Sequence, residues 1–232
     1  MKRYKHLFFD LDRTLWDFEQ NALDTLEGIY TKNELKGKGV SCFNDFFEVY
    51  RKHNTILWKL YREEKIKKEH LKNQRFYLTL KEFGVDDPIL ANEIGDDYIT
   101  ISPTKTKLFP NAIEILEYLY PKYQMHIITN GFKEVQLKKL VNSKLYKYFD
   151  KIITSEEAGC KKPDRRIFEY SMNATKAENT DSLMIGDDFE IDILGAASVN
   201  MDQAFFNPNN EEIDFRPTFE VKDLIQLKEI LS

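Results

Sequence analysis

The chain has 232 residues, 42% hydrophobic and 31% charged, a balance that excludes a disordered or collagen-like protein. That length holds one large α/β domain, or a medium domain with a sizeable insertion. A formal net charge of -5 gives no general attraction to nucleic acid or anionic lipid, so any phosphate recognition must be local. Cys42 and Cys160 stand far apart in no CxxC or Cys/His cluster, which argues against a disulfide framework or a zinc site.

In chain order, His6–Phe9 is a short apolar run that reads as a strand and ends on Asp10-Leu11-Asp12-Arg13-Thr14. It is too short for the apolar region of a secretory signal, and no later stretch reaches the length of a membrane-spanning helix. A cytoplasmic location is therefore expected, with no membrane and no nucleic acid polymer as partner. From Asp17 to about Pro103 only helical periodicity is found. Phe43, Phe46, Phe47 and Tyr50, then Asn54, Leu57, Trp58 and Tyr61, follow the i, i+3, i+4, i+7 spacing of a buried helix face. These aromatics read as the core of a small helical bundle rather than as a substrate clamp. The basic run Lys65–Lys72 is interrupted by Glu69 and reads as a solvated helix face.

Beyond Pro103 strands and helices alternate. Strands are expected at Met125–Thr129, Lys151–Thr154, Leu183–Gly186 and Gln203–Phe206, and helices at Asn111–Tyr120, Phe132–Asn142, Asp164–Asn173 and Ile191–Ser198. A turn follows at Asn207-Pro208-Asn209-Asn210, and Val221–Leu231 reads as a final amphipathic helix. Alternation of this kind predicts an α/β fold with a mostly parallel sheet, interrupted by a helical insertion.

Ligands of such sheets bind at the carboxyl ends of the strands, and the polar residues of this sequence gather there. Asp10 and Asp12 follow the first strand, Thr129-Asn130-Gly131 the second, Lys161-Lys162-Pro163 lies soon after the third, and Asp187-Asp188 follow the fourth. Each pattern alone is an ordinary turn or cap. Four of them at successive strand ends point to one site with a carboxylate nucleophile, hydroxyl and amide donors, a cation and a further carboxylate.

These residues resemble the four motifs of the haloacid dehalogenase superfamily: Phe8-Phe9-Asp10-Leu11-Asp12-Arg13-Thr14-Leu15, Thr129-Asn130-Gly131, Lys162-Pro163, and Gly186-Asp187-Asp188 through Asp192. The stretch Gly159–Phe168 is similar to the surroundings of the family's third motif. The resemblance spans nearly the whole chain and implies a Rossmann-like catalytic core over 1–16 and 104–232 with a helical cap domain over 17–103.

A carboxylate approaching a phosphate monoester meets like charge, worth about 4 kcal/mol at 4 Å and an effective dielectric near 20. A divalent metal on hard oxygen ligands offsets this, and Mg²⁺ suits one or two carboxylates with water and substrate phosphate. The resemblance implies Asp10, Asp187 and the backbone carbonyl of Asp12 as ligands, and Asp10 as the nucleophile that takes the phosphoryl group. It further implies Asp12 as acid and then base, Lys162 as the cation for phosphate and nucleophile, and Thr129 with the backbone at Asn130 as holders of phosphoryl oxygens. Asp192 is expected to orient Lys162 or water at the metal. Asp188 is left open between ligand, supporting group and helix cap.

The family's dehalogenases attack carbon without an acid at the second aspartate, so Asp12 points to a phosphatase. A signalling receiver domain carries its acidic pair early and its lysine late, the reverse of the order found here. The segment Asp10–Phe18 and the helical insertion are similar to the pyrimidine 5'-nucleotidase subgroup, with Arg13 standing where many relatives have glycine. A small phosphorylated metabolite, a nucleoside monophosphate, is the expected substrate. The alternatives are a sugar phosphate or other small metabolite, and a non-hydrolytic phosphoryl-accepting or binding protein.

Overall fold

A computed structural model of the chain describes residues 4–232. The chain forms two compact units: a sheet unit, running through Phe18 and again from Thr106 to Ser232, and a helical unit, Glu19–Lys105.

The helical unit is built on α1 (Phe18–Lys32), α2 (Phe43–Arg62), α3 (Lys68–Glu82) and α4 (Pro88–Ile101). Local signals account for α4: Asp87 accepts from the amides of Ile89 and Leu90 at its N-terminus, and Pro88 occupies the first turn, where no amide donor is needed. Most of the periodic aromatics of α2 pack inward, whereas Phe43 and Trp58 are half-buried. Phe46, Phe47, Tyr50, Leu57 and Tyr61 are buried, and the Tyr50 ring stacks on Phe76 with centroids 5.4 Å apart. Arg75, buried at their side, donates to Asn54 Oδ1 at 3.0 Å and lies over the rings of Phe76 and Tyr98. The bundle core therefore uses the aromatic stripe for packing.

The sheet unit alternates as the sequence predicts. It comprises β1 (His6–Phe9), α5 (Ala112–Leu119), β2 (Gln124–Thr129), α6 (Lys133–Asn142), β3 (Lys151–Thr154), α7 (Ser155–Ala158), α8 (Arg165–Thr175), β4 (Ser182–Gly186), α9 (Leu194–Ala197), β5 (Asp202–Phe206), β6 (Phe219–Val221) and α10 (Leu227–Ile230). Six strands form one sheet in the order β3-β2-β1-β4-β5-β6, and every pairing is parallel. Both faces are covered. Leu7, Phe9, Ile127 and Ile185 belong to one apolar cluster, while Phe8, Ile128, Met184 and Ala196 belong to the other.

Two expectations are corrected. Val221–Leu231 is not one helix: it holds the end of β6, a 3-10 turn at Leu224–Gln226 and the short α10. A run as short as Phe219–Val221 carries no periodic signal, and it becomes a strand through pairing with Ala204, Phe205 and Phe206 of β5. Ile191–Ser198 is likewise not one α-helix, because a π-helical turn at Phe189–Ile193 precedes α9.

Sheet order is what builds the site. β1 lies between β2 and β4, so the chain moves to one side of β1 for β2 and β3 and to the other for β4 and β5. That reversal is the switch point at which open parallel sheets leave a crevice beyond the strand ends. Asp10 and Asp187 are the residues that follow the two adjacent strands there.

Candidate active site

Phe9 pairs with Ile185, and the Asp10 amide donates to the Ile185 carbonyl at 2.9 Å, which carries the β1–β4 register one residue past the strand. The loop then folds back on itself, with the amides of Leu15 and Trp16 both reaching the Leu11 carbonyl. Arg13 takes the left-handed conformation at the crest, φ 67°, which explains why a glycine would fit this position. Its guanidinium lies 4.3 Å from the Phe18 ring centroid. Thr14, buried by the same turn, donates to Asp187 Oδ1 at 2.9 Å.

Lys162 is buried and uses its ammonium fully: it donates to Asp10 Oδ1 at 2.6 Å, Asp192 Oδ1 at 2.7 Å and the Ile128 carbonyl at 2.7 Å. Burial alone would lower its pKa, but the two carboxylates prevail and hold the ammonium above the ordinary lysine range. Asn130 brackets the same residue, since its side chain donates to the Lys162 carbonyl at 2.9 Å and accepts from the Lys162 amide at 2.8 Å. The Asn130 side chain is thus occupied in placing the lysine, and only the backbone of this residue faces other work.

Thr129 Oγ1 accepts from the Gly131 amide at 3.0 Å and from Gln136 Nε2 at 2.7 Å. Both of its lone pairs are used, so its hydroxyl proton remains for a ligand. Asp12 turns toward α6, where its Oδ1 accepts from Lys139 Nζ at 2.5 Å and its Oδ2 from Gln136 Nε2 at 2.9 Å. Lys139 is buried, and that burial lowers its pKa against the pull of Asp12 and Asp10. Sequence reasoning passed over Gln136 and Lys139, because a polar residue on an amphipathic helix reads as solvated.

The π-helical turn separates the roles of the last two acids. Asp188 caps it, accepting from the Ile191 amide at 3.0 Å. Asp192 is buried beneath it, with Oδ1 on Lys162 and Oδ2 accepting from the Asp188 amide at 3.3 Å.

Carboxylate oxygens of Asp10, Asp187 and Asp192 lie within 4.8 Å of one another. When all three carboxylates are ionised, the single ammonium of Lys162 leaves two negative charges uncompensated. Burial, with Asp192 nearby, pushes Asp187 up to about 7. Burial likewise raises Asp10, although Lys162 opposes it. Both oxygens of Asp192 are engaged, whereas Asp10 Oδ2 and Asp187 Oδ2 have no protein donor among the described residues. An all-oxygen donor set with a twofold charge deficit fits a hard divalent cation such as Mg²⁺.

The family model for haloacid dehalogenase-like hydrolases matches residues 7–206. The chain is 30% identical to the pyrimidine 5'-nucleotidase PynA of Streptococcus pneumoniae, over 99% of this chain and 95% of that protein. It is also 30% identical to a glyceraldehyde 3-phosphate phosphatase of Methanothermobacter thermautotrophicus, over 98% of this chain and 99% of that one. Among solved structures it is similar to the HAD-hydrolase YfnB of Bacillus subtilis, described as bound to magnesium and as revealing interdomain movement. There the TM-score is 0.90 and the identity 28%, with 99% of both chains covered. Among the described residues no helix is long and apolar enough to cross a membrane.

Proposed function

The chain belongs to the haloacid dehalogenase-like hydrolases, and on that premise we propose that it hydrolyses a small phosphomonoester, a pyrimidine nucleoside monophosphate, by way of a phosphoryl group carried on Asp10. The observation that carries this reading is the Asp10–Lys162–Asp192 chain at the end of β1, with Asp12 and Thr129 beside it. Magnesium, held by Asp10, Asp187 and the backbone carbonyl of Asp12, would supply positive charge against which a carboxylate can approach a phosphate dianion.

In the first half-reaction an Asp10 carboxylate oxygen attacks phosphorus. The bond to the leaving oxygen breaks, its electron pair stays on that oxygen, and protonated Asp12 supplies the proton. Thr129 donates its free hydroxyl proton to a phosphoryl oxygen, and the backbone at Asn130 holds another. In the second half-reaction water attacks phosphorus, the bond to Asp10 breaks, and Asp12 takes the proton from water. Lys162 aims Asp10 and opposes the rise that burial imposes on its pKa, and Asp192 holds Lys162 in place. The helical unit, Glu19–Lys105, serves as the cap domain in this reading.

A pyrimidine nucleotide is favoured by the likeness to PynA over the full chain. A sugar phosphate is the second reading, supported by the equal identity to the glyceraldehyde 3-phosphate phosphatase. Inorganic phosphate release from a panel of nucleoside monophosphates and sugar phosphates, with Mg²⁺ and with chelator, tests both. Magnesium-dependent release strongest on pyrimidine monophosphates is expected. Sugar phosphates in front would keep the chemistry and replace the substrate, and no release from any compound would overturn the reading.

A further inference from the structure

From the way α6 grips the first-motif loop, we infer that Lys139, together with Gln136, is a positioning residue that fixes the Asp12 carboxylate for proton transfer. This inference rests on the acid and base role given to Asp12 above.

Asp12 stands on the loop beyond β1, where its backbone forms an isolated bridge with Trp16 rather than a regular strand. Each of its oxygens is held by a donor from one face of α6, Lys139 Nζ at 2.5 Å and Gln136 Nε2 at 2.9 Å. Residues three apart on a helix share a face, so both donors arrive from one rigid element. A carboxylate oxygen has two acceptor sites, and each Asp12 oxygen therefore keeps one for a leaving group or a water.

Burying a lysine is unfavourable unless it is paired, yet Lys139 is only 4% exposed. Among the described residues Asp12 is the one carboxylate within ion-pair distance of it. Trp16 covers the ammonium at 4.1 Å from its ring centroid, which shields the lysine side of the pair while Asp12 stays partly open to solvent.

Gln136 shows the same preference. A carboxylate can only accept, so the amide must turn Nε2 toward Asp12, and its second proton goes to Thr129 Oγ1 at 2.7 Å. That orientation leaves Oε1 buried with no donor among the described residues, an unfavourable outcome that packing alone would not select. Gly131 is shaped to the same arrangement, because a Cβ there would collide with the Gln136 side chain. One amide thus registers the proton-transfer carboxylate against the hydroxyl that faces the phosphate.

The alternative is that Lys139 merely staples α6 to the loop. The two roles separate by leaving group. An alkoxide needs a proton from Asp12 as it departs, whereas p-nitrophenolate does not. For Lys139→Met, kcat/KM on a nucleoside monophosphate is expected to fall about 30-fold, a part of the roughly 10²–10⁴ that a placed acid or base contributes in full. On p-nitrophenyl phosphate the expected fall is about threefold or less. In an Asp12→Asn background, Lys139→Met should change the nucleotide rate by less than about twofold, because residues acting as a unit are not additive. Equal losses on the two substrates, or full additivity with Asp12→Asn, would overturn the inference while leaving the phosphatase reading intact. Absence of phosphate release from the wild-type protein on both substrates would overturn the two together. If Lys139→Met does not fold, as judged by thermal unfolding, Lys139→Gln carries the same comparison with a donor retained and the charge removed.

Discussion

The carboxylate of Asp192 fills the space that a side chain on Gly186 would occupy: a Cβ built at Gly186 overlaps Oδ2, Cγ and Cβ of Asp192. The last residue of β4 must therefore be glycine for Asp192 to reach Lys162 at 2.7 Å. The neighbour that would have to yield is a short, fully buried side chain tied to an ammonium, so it cannot swing clear. Gly186→Ala should destabilise the protein by about 1–3 kcal/mol, the usual range for overpacking. It should also slow phosphate release about 10- to 100-fold, as for other groups that orient a reacting residue through a neighbour. Thermal unfolding and steady-state rates check both, and wild-type values would show that Asp192 is not needed where it stands.

Asp10→Asn separates chemistry from folding. The amide is nearly isosteric and its oxygen still accepts from Lys162, but it is not a nucleophile. Phosphate release should drop by more than about 10³, and acid-quenched protein should carry no phosphoryl group. The unfolding temperature should stay within about 4 °C of wild type. Full activity in this variant would remove Asp10 from the reaction.

Magnesium binding should expel a proton near neutral pH. In the metal-free protein burial and Asp192 push Asp187 up to about 7, so the folded state holds this proton more tightly than the unfolded chain does. Metal requires the carboxylate, and binding must displace the proton. The sign is fixed: affinity for Mg²⁺ should weaken as pH falls from 8 to 6, by up to about tenfold per unit below the titration point. Calorimetry in two buffers of different ionisation enthalpy should report about half a proton released at pH 7 in wild type. Asp187→Asn should release less and bind magnesium more weakly.

Away from the site, His6 of β1 and His126 of β2 meet diagonally across the strand pair, 3.1 Å between ring nitrogens. Burial, then His6 and Lys151, lower the His126 pKa to about 4. Protonation therefore favours the unfolded chain. The contribution of neutral His126 is complete above about 6.5 and is lost progressively as pH falls through about 4. Between pH 8 and 4.5 the loss should be about 2–3 kcal/mol. Denaturant unfolding of wild type against His126→Gln should show this difference, and parallel pH curves would rule it out.

Much of the architecture is legible in the sequence, because its signals are local. An apolar run such as His6–Phe9 that ends abruptly on acids identifies both a strand and the edge at which chemistry can gather. The periodic aromatics of α2 identify a buried helix face in the same way. Expectation failed where structure depends on pairing or on local backbone irregularity: β6 is too short to carry a period, and the π-helical turn at Phe189–Ile193 follows no hydrophobic repeat.

Of the candidate site, sequence alone determined the identities and strand-end positions of Asp10, Asp12, Thr129 and Asp187, and the identity of Lys162, which lies beyond α7. Tertiary structure decided how they meet. The strand order brings Asp10 beside Asp187 although 177 positions separate them in the chain of 232 residues. Burial converts Gln136 and Lys139 from apparent surface residues into the holders of Asp12, and the turn after β4 assigns Asp188 to a cap and Asp192 to Lys162. The physical reason is range: a strand or cap is set by neighbours in sequence, whereas the partner of a buried charge is set by which distant side chain the packed core brings within about 3 Å.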